Sequence, residues 1–302
     1  MPTGICLWEE LRPAILRQMA RKLSVTIIGP GSLGGALAFA LHRFSIPVSD
    51  VVYRTNRPLA VKISRKIGAN AVRFRDFQPT SDLVWLCVAD REIASTAESL
   101  RDRADWKERL VFHSSGALSA DELSALKQRG ASVASVHPMM SFVRSAKASF
   151  EHVVFAVEGD PSAIKAAAQI IKALKATWFV LNKKDKPLYH ALGAFSSPLF
   201  IAHLAATERV GRKLGLKPEQ TRRVIAPILK QTVTNYLEHG TAAALSGPLT
   251  RGDLETVASH LRALKSVPGA VEIYRALVKV ALQELPVKNK AAITKLLDLP
   301  KS

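Results

Sequence analysis

The sequence predicts an α/β protein, a mostly parallel sheet followed by an all-helical region. Short apolar runs alternate with helical patterns through the first half, as parallel strands and their crossover helices require. A Gly-x-Gly-x-x-Gly string stands between an apolar run and a helical pattern, and beyond residue 183 the periodicity is almost exclusively helical.

Residues 1–22, MPTGICLWEELRPAILRQMARK, lack the basic stretch and apolar core of a signal peptide. They are expected to form an N-terminal extension, a surface helix, with Met19 as an alternative start. From there SVTIIGPG reads as a strand and SLGGALAFALHRF as its helix; VSDVVYRTNR, DLVWLCVADREI, RLVFHSSGA and ASVASVHPMM read as further strands. HVVFAVEGD and TWFVL continue the rhythm around the helix PSAIKAAAQIIKALKA, so residues 23–182 are expected to form the sheet domain. LFIAHLAATERVGRKL, PEQTRRVIAPILKQTVTNYLE and GAVEIYRALVKVALQE are helical patterns of a second domain, 183–302.

The chain has 302 residues, 48% of them hydrophobic, with no repeat or low-complexity tract. Its two cysteines, Cys6 and Cys87, suggest neither a disulfide framework nor a zinc site, and a reducing, cytoplasmic setting is expected. Cys87 is expected in the core. Pro187 to Thr207 carries no charge over a bilayer-spanning length, but His190, His203, Gly193, Ser196, Ser197 and Pro198 point to a buried central helix, not a membrane span. The formal net charge of +18 is spread as +8 over 1–150 and +10 over 151–302. With no basic tail or aromatic-interleaved patch, this is a surface that attracts small anions; nucleic acid is not the expected partner.

Gly29-Pro30-Gly31-Ser32-Leu33-Gly34 follows the strand and opens the helix, the setting in which this spacing binds a dinucleotide. The first glycine permits the tight turn, the second the approach of the pyrophosphate, and the third close packing of helix on strand. Where the second strand ends, an acidic residue would hold the ribose hydroxyls of NAD. Arg54-Thr55-Asn56-Arg57 stand there, and guanidiniums suit a 2′-phosphate, so NADP(H) is the expected cofactor. Asp50 lies at the start of that strand, the wrong end for a ribose contact. Ligands in such sheets lie beyond the carboxyl ends of the strands, which nominates Val88, Ala89 and Asp90, then His113, Ser114 and Ser115, as further cofactor contacts.

The succession IIGPGSLGGALA, FHSSGALSADEL, SVHPMMSF, LYHALGAFSSPLFIAHLAA and LSGPLTRGDLETVASHLRAL resembles a bacterial family. Its members pair a Rossmann-like NADP-binding domain with a helical C-terminal domain of unknown function. That family is similar to pyrroline-5-carboxylate reductase and to the 6-phosphogluconate and 3-hydroxyacid dehydrogenases. The resemblance implies a homodimer joined through the helical domains and a substrate held between the cofactor and the helical domain. Two departures stand out: there is no Lys-x-x-x-Asn catalytic helix, and SGPLTRGD occupies the place of the reductase's Gly/Thr-rich stretch.

Hydride transfer to a carbonyl or imine needs a proton donor, and His137, just after a strand, is the first candidate. His190 and Ser197 are further catalytic candidates on the uncharged helix, where Tyr189 and Ser196 are expected to contact substrate. Arg251 is expected to clamp a substrate carboxylate, with Asp253 beside it or capping the next helix. The expected activity is therefore NADP(H)-dependent oxidation or reduction at C=O or C=N of a small anionic metabolite. A non-catalytic NADP-binding sensor is the alternative, since the fold alone does not make an enzyme. The sequence has no H-E-x-x-H, C-x-x-C, G-x-S-x-G or Walker ending, and no metal site is expected.

Overall fold

The computed structural model describes residues 23–142 and 149–298; the expected N-terminal extension lies outside them. The chain divides into two compact units, the first ending at Gly193 and the second beginning at Ala194.

The first unit is built on eight strands: β1 (Val25–Ile28), β2 (Val48–Tyr53), β3 (Asn70–Arg73), β4 (Leu83–Leu86), β5 (Leu110–His113), β6 (Ser132–Pro138), β7 (Val154–Gly159) and β8 (Thr177–Val180). They lie in the order β3-β2-β1-β4-β5-β6-β7-β8, and every pairing is parallel except β6 with β7. β1 and β4, VTII and LVWL, are buried throughout, which a central strand covered on both faces requires.

Helix α1 (Ser32–Arg43) buries Gly34, Leu37, Ala38 and Leu41, one face at helical spacing. α2 (Arg57–Ile67) starts at Asn56, whose side chain accepts from the Leu59 amide, and stops at left-handed Gly68. α3 (Ile93–Leu100) and the short α4 (Ser124–Lys127) follow β4 and β5, and α5 (Pro161–Ala173) joins β7 to β8. α1, α2 and α5 share one apolar core with Trp85, Phe112 and Phe155; α3 and α4 share another with Phe77 and Trp106. The crossovers thus change face between β1 and β4.

β3 was not expected from the sequence, and it is a four-residue edge strand without a buried residue. Asp50 sits with the strand starts: it accepts from Thr26 and Asn70, and Thr26 also bonds Ser81.

α6 (Lys186–Ser196) and α7 (Pro198–Lys213) replace the single central helix expected over 187–207. Ser197 is non-helical (φ −130°, ψ −81°), and Pro198, with no N–H to donate, starts a new helix there. In the second unit α8 (Pro218–Ala244) is kinked at Gly240, α9 (Pro248–Arg251) is a single turn, and α10 (Leu254–Leu264), α11 (Ala270–Glu284) and α12 (Lys290–Asp298) share a core of Val257, Leu261, Val278, Ala281, Ile293 and Leu297. Gly211 lets α7 and α8 touch, since a Cβ there would stand 2.2 Å from Thr221 Oγ1. Among the described residues no helix is long and apolar enough to cross a membrane.

Candidate functional site

β1 and β4 are neighbours whose connections leave to opposite faces, so a crevice opens beyond their carboxyl ends. A cleft of about 1120 Å³ occupies that place, ample for a dinucleotide. Gly29, Pro30, Gly31 and Ser32 line it from the β1–α1 turn. Gly29 has φ +101°, and a Cβ there would meet the Cys87 carbonyl at 2.5 Å. A Cβ on Gly34 would meet the Gly29 carbonyl at 2.0 Å, whereas one on Gly31 would meet nothing within 4 Å. The outer glycines therefore close the turn, while the middle one leaves an open approach to the helix start. α1 begins without a side-chain cap or an acidic residue in its first turn, so its N-terminal amides and positive dipole end face an anion unopposed. Leu33 is half-buried and packs into the core; it does not line the cleft.

Arg54, Thr55 and Asn56 line the same cleft after β2. The Arg54 guanidinium donates to Thr96 Oγ1 at 2.9 Å and lies 4.5 Å from the Phe74 ring centroid, which fixes its plane. Arg57 is exposed in the first turn of α2 and is not part of the lining, whereas Lys62 and Lys66, one turn apart on α2, are. Sequence reasoning missed both lysines because it assigned no element to the residues after Arg57.

Val88 and Ala89 line the cleft after β4, and so does Cys87, expected in the core. Burial pushes the Cys87 thiol up to about 12, which leaves it unreactive. Asp90 and the residues after β5 have other tasks. His113 is fully buried; its Nδ1 accepts from the Ser115 amide, and its Nε2 lies 2.9 Å from the Ser119 carbonyl, to which it donates. Burial pulls it down to about 4, so it is a neutral loop anchor and not a nicotinamide or ribose contact. Ser114 accepts from the Trp85 indole; Ser115 donates to Asp90 and accepts from the Ala117 and Leu118 amides. None of these four lines the cleft.

His137, expected just after a strand, is the penultimate residue of β6 at the carboxyl edge of the sheet, outside the cleft lining. Its Nδ1 lies 2.8 Å from the Tyr189 hydroxyl, with the rings edge to face. Gly116 makes room for it, since a Cβ there would stand 2.8 Å from His137 Nε2. Burial first, then the charge of Lys186, pulls His137 down to about 4, and burial pushes Tyr189 up to about 12. At neutral pH the pair is an uncharged imidazole beside a protonated phenol. Lys186 is a buried lysine the sequence reading passed over, because the uncharged window began one position later. It is 1% exposed, and its ammonium donates to Ser135 Oγ at 2.6 Å and to the Ser115 carbonyl at 3.1 Å, with Glu158 at 4.0 Å. His190, on the same helix, is exposed.

In the second unit Ser197 is the break before α7, and Ser196 is exposed at the end of α6. Arg251 is exposed at the end of α9. Asp253 caps α10: its oxygens accept from the Thr256 amide at 3.0 Å and hydroxyl at 2.7 Å, which holds the carboxyl below its usual range. Asp253 thus takes the capping role of the two expected for it. Among the described residues no group of His, Cys, Asp and Glu could hold a metal ion.

Residues 13–138 match the Rossmann-like domain and residues 153–281 match the domain of unknown function DUF2520. A candidate NADP oxidoreductase from Bacteroides fragilis is similar over 86% of this chain and 97% of its own, with 20% identity and a TM-score of 0.72. A reductive aminase from Aspergillus terreus, solved with NADPH, is similar over 91% and 99% of the two chains, at 18% identity and a TM-score of 0.62. A pyrroline-5-carboxylate reductase from Coxiella burnetii covers 85% and 99% at 17% identity and a TM-score of 0.57. A comparison with curated protein sequences gives no match.

Proposed function

We propose that this chain, which joins a Rossmann-like domain to a DUF2520 domain, is an NADP(H)-dependent oxidoreductase acting on a C=O or C=N bond, or its reduced form, in a small anionic metabolite. The observation that carries the proposal is the cleft at the strand-order reversal, walled by the glycine turn, Val88 and Ala89 on one side and by Arg54, Lys62 and Lys66 on the other. The uncapped start of α1 would take the pyrophosphate, and the three cations would take the 2′-phosphate that separates NADP from NAD. That solved structures of the same fold include a reductive aminase in complex with NADPH and a pyrroline-5-carboxylate reductase supports the reading.

When bound, NADP(H) supplies or accepts the hydride at its nicotinamide. The chain must hold the proton that accompanies it, and His137 with Tyr189 is the pair suited to this: a phenol kept protonated, hydrogen-bonded to an imidazole kept neutral. Arg251, exposed and free of a capping task, remains the candidate for a substrate carboxylate, and His190, Ser196 and Ser197 remain candidate contacts. The protein is proposed to act as a homodimer through its helical domain, in the cytoplasm.

A second reading, a non-catalytic NADP(H)-binding sensor, draws on the position of His137 and Tyr189 outside the cleft lining. Parallel fluorescence titrations with NADPH and NADH, followed by a screen of carbonyl and imine acids for NADPH oxidation, separate the readings. Tight NADPH binding with turnover is the expected result; binding without turnover across the screen favours the sensor. Failure of both dinucleotides to bind refutes both.

A further inference from the structure

A lysine with 1% exposure needs a reason, because burying an ammonium costs several kcal/mol unless its protons are used. Lys186 uses them on two elements. It donates to Ser135 Oγ on β6 and to the carbonyl of Ser115 in the loop after β5, and Ser135 Oγ itself donates to that same carbonyl at 3.1 Å. Glu158, opposite Ser135 in the β6–β7 ladder, supplies the nearby negative charge and accepts from the Ala120 amide.

The placement of these bonds is specific. Ser135 and His137 are two apart on β6 and so face the same side of the sheet; Lys186 and Tyr189 are three apart on α6 and so share a helix face. Ser135–Lys186 and His137–Tyr189 are therefore two successive rungs joining the same strand to the same helix turn. The loop that Lys186 holds through Ser115 continues to Gly116, the residue on which the His137 ring rests.

We propose that Lys186 is a positioning residue, whose ammonium locks the 114–116 loop and the first turn of α6 to β6 so that His137 and Tyr189 meet in one fixed geometry. Its second effect is electrostatic. The titratable groups around His137 are Lys186, Tyr189 and His190 on α6, His113 on β5 and Asp90 after β4, while β7 presents Ala156 opposite it. Burial is the main reason His137 stays neutral, and of the charges Lys186 disfavours its imidazolium most. The catalytic meaning of the pair rests on the proposed oxidoreductase function; the lock itself does not.

The test is the titration of the His137 imidazole by NMR of the ¹⁵N-labelled chain, assigned with His137→Gln, in the parent, Lys186→Arg and Lys186→Met. A double variant, Lys186→Met with Glu158→Gln, removes both buried charges and leaves neither uncompensated should the single variant fold poorly. Lys186→Met and the double variant should raise the His137 midpoint by about one unit or more, with Lys186→Arg close to the parent. A midpoint in the folded methionine variants within about 0.3 units of the parent's, smaller than the shift expected from one nearby charge, overturns the proposal, even if stability falls. NADPH titration of the same samples keeps the two readings apart: absence of binding to the parent sinks the proposed function, while the His137 midpoints still decide the role of Lys186.

Discussion

Gly31 and Gly34 are the same residue type with opposite tasks, and substitution separates them. Gly34→Ala drives a methyl into the Gly29 carbonyl, so it should destabilise the first unit by about 3 kcal/mol or more in urea unfolding, an overpacking cost with rigid backbone as the obstacle. Gly31→Ala has an ordinary φ of −72° and open space for its methyl, so stability should change by less than about 1 kcal/mol. Its methyl nevertheless stands where the pyrophosphate would approach, and NADPH affinity should fall at least about tenfold. Unchanged affinity in Gly31→Ala would mean that the turn is only a bend. His113 makes a pH prediction. Above its unfolded value of 6.5 the imidazole is neutral whether the chain is folded or not, and its contribution is complete. As pH falls below 6.5 the unfolded chain takes a proton that the native site refuses until about 4, so stability is lost over that window, on the order of 3 kcal/mol. Urea melts at several pH values should show His113→Asn with a shallower loss than the parent. The tight turn at Gly29 and the close packing at Gly34 were legible because spacing between strand and helix dictates them. The role of Lys186 was not, since a side chain's partner across about 70 residues of sequence, as Lys186 has in Ser115, leaves no local trace. His113 was misassigned although its partners, Ser115 and Ser119, are local, because a position after a strand end does not tell a loop anchor from a ligand contact.

Among the elements, the central strands were legible because burial on both faces demands unbroken apolar runs, whereas β3 was hidden by its exposed, mixed sequence NAVR at the sheet edge. α2 was overlooked for a related reason: it begins at once after the cofactor-selecting segment, so Asn56 and Arg57 read as the end of the strand run VSDVVYRTNR although they form a helix cap and first turn. This changes which cations matter. Lys62 and Lys66 line the cleft and Arg57 does not, so Lys62→Ala should weaken NADPH binding about tenfold or more, the value of a lost charge-assisted bond, with NADH little affected. Arg57→Ala should change either affinity by less than about threefold, being an exposed charge off the cleft wall. Equal effects of the two variants in fluorescence titration would restore Arg57 to the phosphate site. The break at Ser197 was signalled by Pro198, but the uncharged composition of 187–207 outweighed it in the sequence reading. That composition has another cause.

At the scale of the whole molecule, large apolar side chains are exposed along the uncharged stretch and along α8 beyond it. On α6 and α7 these include Leu188, Leu192, Phe195, Leu199 and Ile201, and on α8 Val224, Ile228, Val233, Tyr236 and Leu237. At 100° per residue, Val224 and Ile228 lie on one side of α8 and Val233 and Leu237 on another, so this is not the single stripe of a helix that borders water. A helix apolar on more than one side is one that is enclosed, and a second copy of the chain, interlocking through its helical domain, would enclose it. The molecule should therefore run at twice the chain mass in light scattering, and its thermal midpoint should rise with protein concentration, because subunit association then contributes to folding. Ile228→Glu with Leu237→Glu places two charges on surfaces that are 68% and 74% exposed in the single chain. In an isolated chain such exposed substitutions would cost little, so a large loss of stability or of the double mass locates the interface on α8. A parent that stays monomeric, with a midpoint indifferent to concentration, would refute the dimer and leave the apolar helices to some other partner.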